Sequence, residues 1–474
     1  MVNIETNIQN TKYRPEDIQG NIVRGYNFKY VRHLILEVSD VKAARRFLAA
    51  SVSDDSGDVP SITRETSWKK KPESCFNIGF TYEGLKALGL SRKQLASFPK
   101  EFVEGMTKRA LKIGDFGESA PETWPAPFDQ PDRVHIVASV HAKNIKSIDG
   151  IQDIVARSFN VIGVRDGRAL DKGKIVFGYV DGISQPKLKH VHDPSEDKDD
   201  QPINPLGVVL LGYPTRLEGV LFSLPQPEKE LGFNGTFNAF RVLSQNAAEF
   251  ETYLTEAAED LLKHKDIDHL LPAKEVKLFG KGHTRKSAIR EIVAAQMLGR
   301  WRNGVPYETS PDTPNPDPEV SLTNFNYGYK SRCPVGAHMR RANPRGGPIV
   351  QHVANRTRRI VRRGMVYGPD FDPSKPDNEE RGLLGNFIGA NLGAQFEAIM
   401  YDWLNLGLQH PDITGSNDPI LGANSRETSW FDLTLKNGGK IRLRGFPRFI
   451  TSRGGAYTFL PSIRAVKYLS DLSG

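Results

Sequence analysis

The chain has 474 residues, 38% hydrophobic and 25% charged, and its 64 Lys and Arg outnumber 56 Asp and Glu for a formal net charge of +8. That length is more than one hydrophobic core usually serves, so two domains are expected, and the composition excludes disordered and fibrous classes. The cation excess permits attraction to nucleic acid, membrane surfaces or small anions without choosing among them.

Two cysteines, Cys75 and Cys333, are too few for a disulfide framework and lack C-x-x-C spacing. No apolar run reaches the roughly 18 residues of a spanning helix, and the stretch from Met1 to Gln19 has no basic start, apolar core or cleavage site. The expected setting is therefore cytoplasmic, with no membrane partner.

In chain order, residues 17–25 (DIQGNIVRG) read as turn chemistry. A strand is expected over residues 31–38, apolar at nearly every position after His33 and so buried on both faces. Asp40 should cap a helix, VKAARRFLAAS, and a strand over 76–81 should lead into a second helix from Thr81 or Tyr82. Residues 133–142 alternate as a third strand, NIKSIDGIQDIVARSF follows as a helix, and residues 174–179 are expected to form a strand that delivers Asp181. This order approximates β-α-β-β-α-β, a ferredoxin-like arrangement of helices on an antiparallel sheet.

Residues 187–206 are charged, proline-punctuated and linker-like; His190 and His192 there read as exposed loop residues rather than a metal pair. The second half restarts at 207–212, with a strand over 237–243 running into a helix. A helix over 288–300, a proline-rich loop over 310–319, a strand-helix unit over 383–404 and a closing segment over 449–469 complete it. No repeat of 20–50 residues is visible.

Two stretches carry chemistry. SRCPVGAHMRRANPR (331–345) sets His338 after Gly336 and Ala337, small residues beside which a flat ligand could approach the backbone. It is followed by RRIVRRGMVYG (358–368), an arginine cluster on a strand-like apolar patch. IVFGYVDGISQP (175–186) brackets Asp181 with Gly178 and Gly182, a pattern that by itself is also a turn signal.

Together with DIQGNIVRGY, FTYEGLKALGL, AAQMLGRWRNGVP and TSRGGAYTFLPS, these motifs resemble the dye-decolourising peroxidases, a family of haem enzymes. The resemblance implies an α+β fold of two ferredoxin-like domains, antiparallel sheets with packed helices. The expected domains are 1–190, ending in the Asp181 loop, and 207–474, which holds haem b (iron protoporphyrin IX), with 191–206 as linker. It implies that His338 is the axial iron ligand, Asp181 the acid/base and Arg362 the arginine beside it.

Arg345 and Arg363 are candidates for the haem propionates, as are Arg358 and Arg359, and Glu397 or Asn391 for the second partner of the His338 ring. The implied reaction oxidises dyes, phenolics or similar small donors with hydrogen peroxide. A haem-handling protein that releases iron or stores haem is the competing reading. The aromatic-basic pattern of an RNA-binding sheet is absent, so no nucleic-acid partner is expected. Of Trp68, Trp124, Trp301, Trp403 and Trp430, the candidates for oxidation of bulky donors at the surface, four are expected to pack inside.

Overall fold

The structure, a computed structural model, describes residues 13–193, 195, 202–217, 220–349 and 357–472. The first twelve residues and most of 194–201 within the expected linker lie outside the described residues.

In the first half β1 (Tyr30–Glu37), β2 (Ser74–Phe80), β3 (Ile136–Ala142) and β4 (Asn160–Arg168) form an antiparallel sheet in the order β4-β1-β3-β2. Helices α1 (Val41–Val52), α2 (Tyr82–Ala87) and α3 (Ile145–Val155) follow β1, β2 and β3. Each starts where a side chain takes an otherwise unpaired N–H: Asp40 from Ala43, Thr81 from Gly84, Asn144 from Ser147. Leu34, Ile35 and Leu36 are all fully buried, as a strand covered on both faces requires.

The second half repeats the order. Its strands β5 (Thr236–Gln245), β6 (Val361–Tyr367) and β7 (Gly382–Gly389) are followed by a separate hairpin, β8 (Trp430–Thr434) with β9 (Lys440–Arg444), and then β10 (Ile450–Leu460). The sheet runs β6-β7-β5-β10, and the two sheets close into one eight-stranded barrel. The closing seams are thin, Phe459 against Phe80 and Arg168 against Val366. Gln19 reinforces the first: its amide donates to the Ile78 and Pro461 carbonyls, 2.9 Å each, and accepts the Ile78 N–H at 3.0 Å. The stretch read as turn chemistry is thus a short helix, Gly20–Val23, whose preceding residue staples the barrel.

The expected strand over 174–179 is not one. Gly173, Gly178 and Gly182 all adopt positive φ, and the Ile175 N–H bonds to the Tyr179 carbonyl in a tight loop. Its apolar residues are buried for another reason. Phe177 packs on Phe250, 4.9 Å between centroids, and the Tyr179 hydroxyl donates to the Ala294 carbonyl at 2.9 Å. The fourth strand is instead β4, masked in the sequence by Arg165, Asp166 and Arg168 and by a face only partly buried.

Helices α4 (Ala247–Leu262) and α5 (Arg285–Leu298) pack on one another and, with the β8-β9 hairpin, form a second core. The expected strand-helix unit is β7 followed by wide π-helical turns, Leu392–Glu397 and Ile399–Asn405. The chain closes with α7 (Ile463–Ser470), after α6 (His338–Ala342). His192 accepts the Leu188 N–H and His190 stacks on Tyr13. Among the described residues no helix is long and apolar enough to cross a membrane.

Candidate active site

His338 opens α6, and Arg341 fixes that short helix in place. The Arg341 guanidinium, almost wholly buried, donates to the carbonyls of Gly336, Trp403 and Ser416. Burial lowers it to about 10, so it remains charged at neutral pH. Nδ1 of His338 lies 3.1 Å from Oδ2 of Asp418, a residue with no solvent exposure. The other carboxylate oxygen accepts the N–H groups of Ile420 and Leu421 at 2.9 and 2.8 Å. Burial alone would raise the Asp418 carboxyl, but His338, Arg341 and the Leu421 N–H together bring it below its ordinary range. A carboxylate held ionised keeps the ring proton on Nδ1 and leaves the Nε2 lone pair free.

Neither Glu397 nor Asn391 has that role. Glu397 is engaged by Arg109 and the Tyr457 hydroxyl, and Asn391 caps the π-helical turn through the Ala394 N–H. Gly336 and Ala337 also serve packing rather than a ligand: a Cβ on Gly336 would meet the Phe431 ring at 3.3 Å, and Ala337 is fully buried.

The loop bearing Asp181 is docked on β6 by a reciprocal pair. The Arg362 N–H donates to Gln185 Oε1 and the Gln185 amide donates back to the Arg362 carbonyl, 3.0 Å each. The Arg362 guanidinium donates to the Ser184 carbonyl at 3.0 Å. The Asp181 backbone is held by the Gly173 carbonyl at 2.9 Å, while its carboxylate has no hydrogen-bond or ion-pair partner among the described residues.

Asp181, Arg362 and His338 line one cavity whose remaining wall is mostly apolar, including Leu383, Phe387, Met400 and Ile420. Gly364 and Gly385 face each other across β6 and β7, so the sheet is bare there. About 180 Å³ is open to the centres of water-sized spheres, which fits a thin slot. Arg300, absent from the sequence reading, also lines it. Its Nη1 donates to the Gly304 and Leu322 carbonyls, but its buried Nη2 has no partner among the described residues.

Of the other arginines, Arg363 lines the same cavity. Arg345 is absent from this wall among the described residues: it donates to the Thr323 and Phe325 carbonyls and stacks 3.8 Å over the Phe325 ring. Arg358 pairs with Asp402 at 2.7 Å. Arg359 is deeply buried, and burial lowers it to about 9.

A sequence profile described as "DyP dimeric alpha+beta barrel domain" matches residues 17–169. The dye-decolorizing peroxidase AauDyP1 of Auricularia auricula-judae is 27% identical over 492 residues, covering 96% of this chain and 87% of its own. The multifunctional dye peroxidase DyP2 of an Amycolatopsis species is 26% identical, covering 96% and 95%. Over nearly its whole length the chain is similar to the dye-decolorizing peroxidases.

Solved dye-decolorizing peroxidases share the fold. One from Auricularia auricula-judae superposes with a TM-score of 0.77 at 23% identity over 97% of this chain and 100% of that one. One solved with 2,6-dimethoxyphenol gives 0.76 at 24% with the same coverage. Three of the five tryptophans, rather than the expected four, are buried: Trp124, Trp301 and Trp403. Trp68 and Trp430 are half-buried because an arginine covers a ring face of each, Arg24 at 5.2 Å and Arg442 at 3.9 Å. Asp418 and Arg300 were out of reach of sequence reasoning. The first lies 80 residues from His338 in a loop, and the second sits in a motif whose arginine has no distinguishing neighbour.

Proposed function

We propose that the protein is a haem b peroxidase in which hydrogen peroxide is the oxidant and dyes, phenolics or similar small molecules are the donors, acting in the cytoplasm, where two buried free cysteines stay reduced. The observation that carries the reading is one cavity lined by an imidazole backed by an ionised carboxylate, an arginine, and an aspartate whose carboxylate has no partner among the described residues.

The donor set suits the group. His338 Nε2 would ligate the iron, the apolar walls would face the porphyrin, and Arg300 Nη2, without a partner among the described residues, would meet a propionate, whereas the Arg363 side chain leaves β6 on the other face. Bound there, haem supplies the redox chemistry that couples peroxide cleavage to oxidation of a donor. The chain's own residues do the rest. Asp181 takes the proton from one peroxide oxygen and returns it to the departing oxygen. Arg362, held by Ser184 and Gln185, stabilises the negative charge that develops there without needing to reorganise. Asp418 keeps His338 oriented and electron-rich. A haem store would have no use for Asp181 free on the cavity wall.

The test is a spectrum and an assay on one preparation. Purified protein should show a Soret band that changes on adding peroxide and should oxidise a phenolic donor; His338→Ala should purify with little haem. Normally coordinated, stoichiometric haem in that variant would sink the assignment.

A further inference from the structure

Arg362 and Arg363 are consecutive on β6, so their side chains leave opposite faces of the sheet. Arg363 lines a second chamber on the other side, together with His33 of β1, His141 of β3 and Asn386 of β7. On the same measure as the slot this chamber offers about 460 Å³. Its charge is one-sided. Lys174, Arg362 and Arg363 are on its wall with Arg168, the last already paired with Asp370 at 2.8 Å, whereas Asp181 is the single carboxylate there among the described residues.

Among the described residues the Arg363 guanidinium has only carbonyl partners, Asn21 and Arg362 at 3.2 Å each. Burial lowers it to about 10, so it is still a cation at neutral pH. The nearby Glu65 offsets it only in part: its Oε1 is on Arg24 at 3.3 Å and burial raises its carboxyl to about 7, so it is not fully ionised at neutral pH. Nδ1 of His141 is buried and has no partner among the described residues. Burial holds both chamber histidines neutral, lowering His33 to about 3 and His141 to about 4, so the His141 ring can offer an N–H without adding charge. The Tyr26 hydroxyl, also at the wall, is spent on Asn77 at 2.7 Å. A half-buried guanidinium that no carboxylate pairs directly among the described residues, beside an orphan ring nitrogen in an open chamber, calls for a negative partner.

We propose that this chamber binds a small anion, of the size and chemistry of nitrate, a halide or a short carboxylate, held by the Arg363 guanidinium and the His141 ring N–H. The anion would share this chamber with Asp181 and Arg362, which also line the slot, so its charge would oppose peroxide activation. This consequence rests on the peroxidase reading; the binding itself does not.

Two arms test it on the haem-loaded protein. Crystals soaked in bromide should show one anomalous peak within hydrogen-bond reach of Arg363. Calorimetric titration with nitrate at fixed ionic strength should give one site, weakened about tenfold or more in Arg363→Met and in His141→Phe. Should Arg363→Met fail to fold, Lys174→Met at the rim should still weaken nitrate several-fold. In turnover, nitrate should compete with peroxide and not with the donor. No bromide in the chamber, or equal nitrate affinity in all variants, overturns the site. A working peroxidase without anion binding rejects this proposal alone, and an anion-binding protein without turnover rejects the peroxidase reading alone.

Discussion

The two halves of the barrel share a strand order but differ in what bridges their strands. In the first half the connections over 38–73 and 143–159 each carry a single helix, and Phe47, Leu48 and Ile148 press directly on the sheet. In the second half the connections over 246–360 and 390–449 are far longer, bringing α4, α5, α6, the π-helical turns and the β8-β9 hairpin. Their packing stands off the sheet, and the slot lies between. One topology therefore makes a solid core where its crossovers are short and a cofactor-sized gap where they are long.

The largest effect that would sharpen this contrast is chemical. Asp181→Asn should retain haem and lose about 10²–10⁴ in turnover at saturating peroxide, since a positioned acid/base is worth that much; unchanged steady-state rates would show that another group moves the proton. Phe47→Ala belongs to the solid half, where the ring meets Phe76 and Phe159 edge-on at 6.1 and 5.2 Å. It should cost about 3–5 kcal/mol in denaturant unfolding while turnover per haem stays the same. A loss of activity without a loss of stability would break the division of labour.

Asp418→Asn keeps shape but weakens the hold on the His338 ring proton. Haem affinity, followed by transfer to an acceptor protein, should fall about 10–100-fold; an affinity equal to the parent's would mean that Asp418 only packs.

The smallest effect concerns Glu65, buried in the first half. Burial raises it from 4.5 to about 7 against the pull of Arg24 and Arg363. Its folded-state value lies above the unfolded one, so the folded protein binds the extra proton: the stabilisation is complete below about pH 4.5 and is lost as pH rises through about 7. Glu65→Gln should therefore gain on the parent above pH 7, by at most about 3 kcal/mol, and by nothing below pH 4.5. Thermal melts across that window read the difference, and a constant offset would show that Glu65 does not titrate there.

The fold was legible where periodicity and capping agree, as in β1 with Asp40 and α1, or β2 with Thr81 and α2. It was not where burial has another cause. Residues 174–179 are apolar because they lie under α4 and α5, and β4 is charged because much of it stays partly exposed. His338, Asp181 and Arg362 emerged from motifs, and the structure sets all three on one cavity. Their supports did not emerge. Asp418, Arg300 and Gln185 act through contacts spanning 80, 22 and 177 positions, and no local pattern encodes partners so far apart.

The reciprocal bonds between Gln185 and Arg362 also set a condition on biogenesis. Asp181 is made well before β6, so a nascent chain ending short of β6 carries the Asp181 loop with nothing to dock it. The wall that Asp181 and Arg362 share forms when β6 pairs with β7 and meets β4, and the ring of strands shuts only when β10, made last, reaches β2 at Phe459 and Phe80. Recovery of turnover after refolding should time that late closure rather than the collapse of either half.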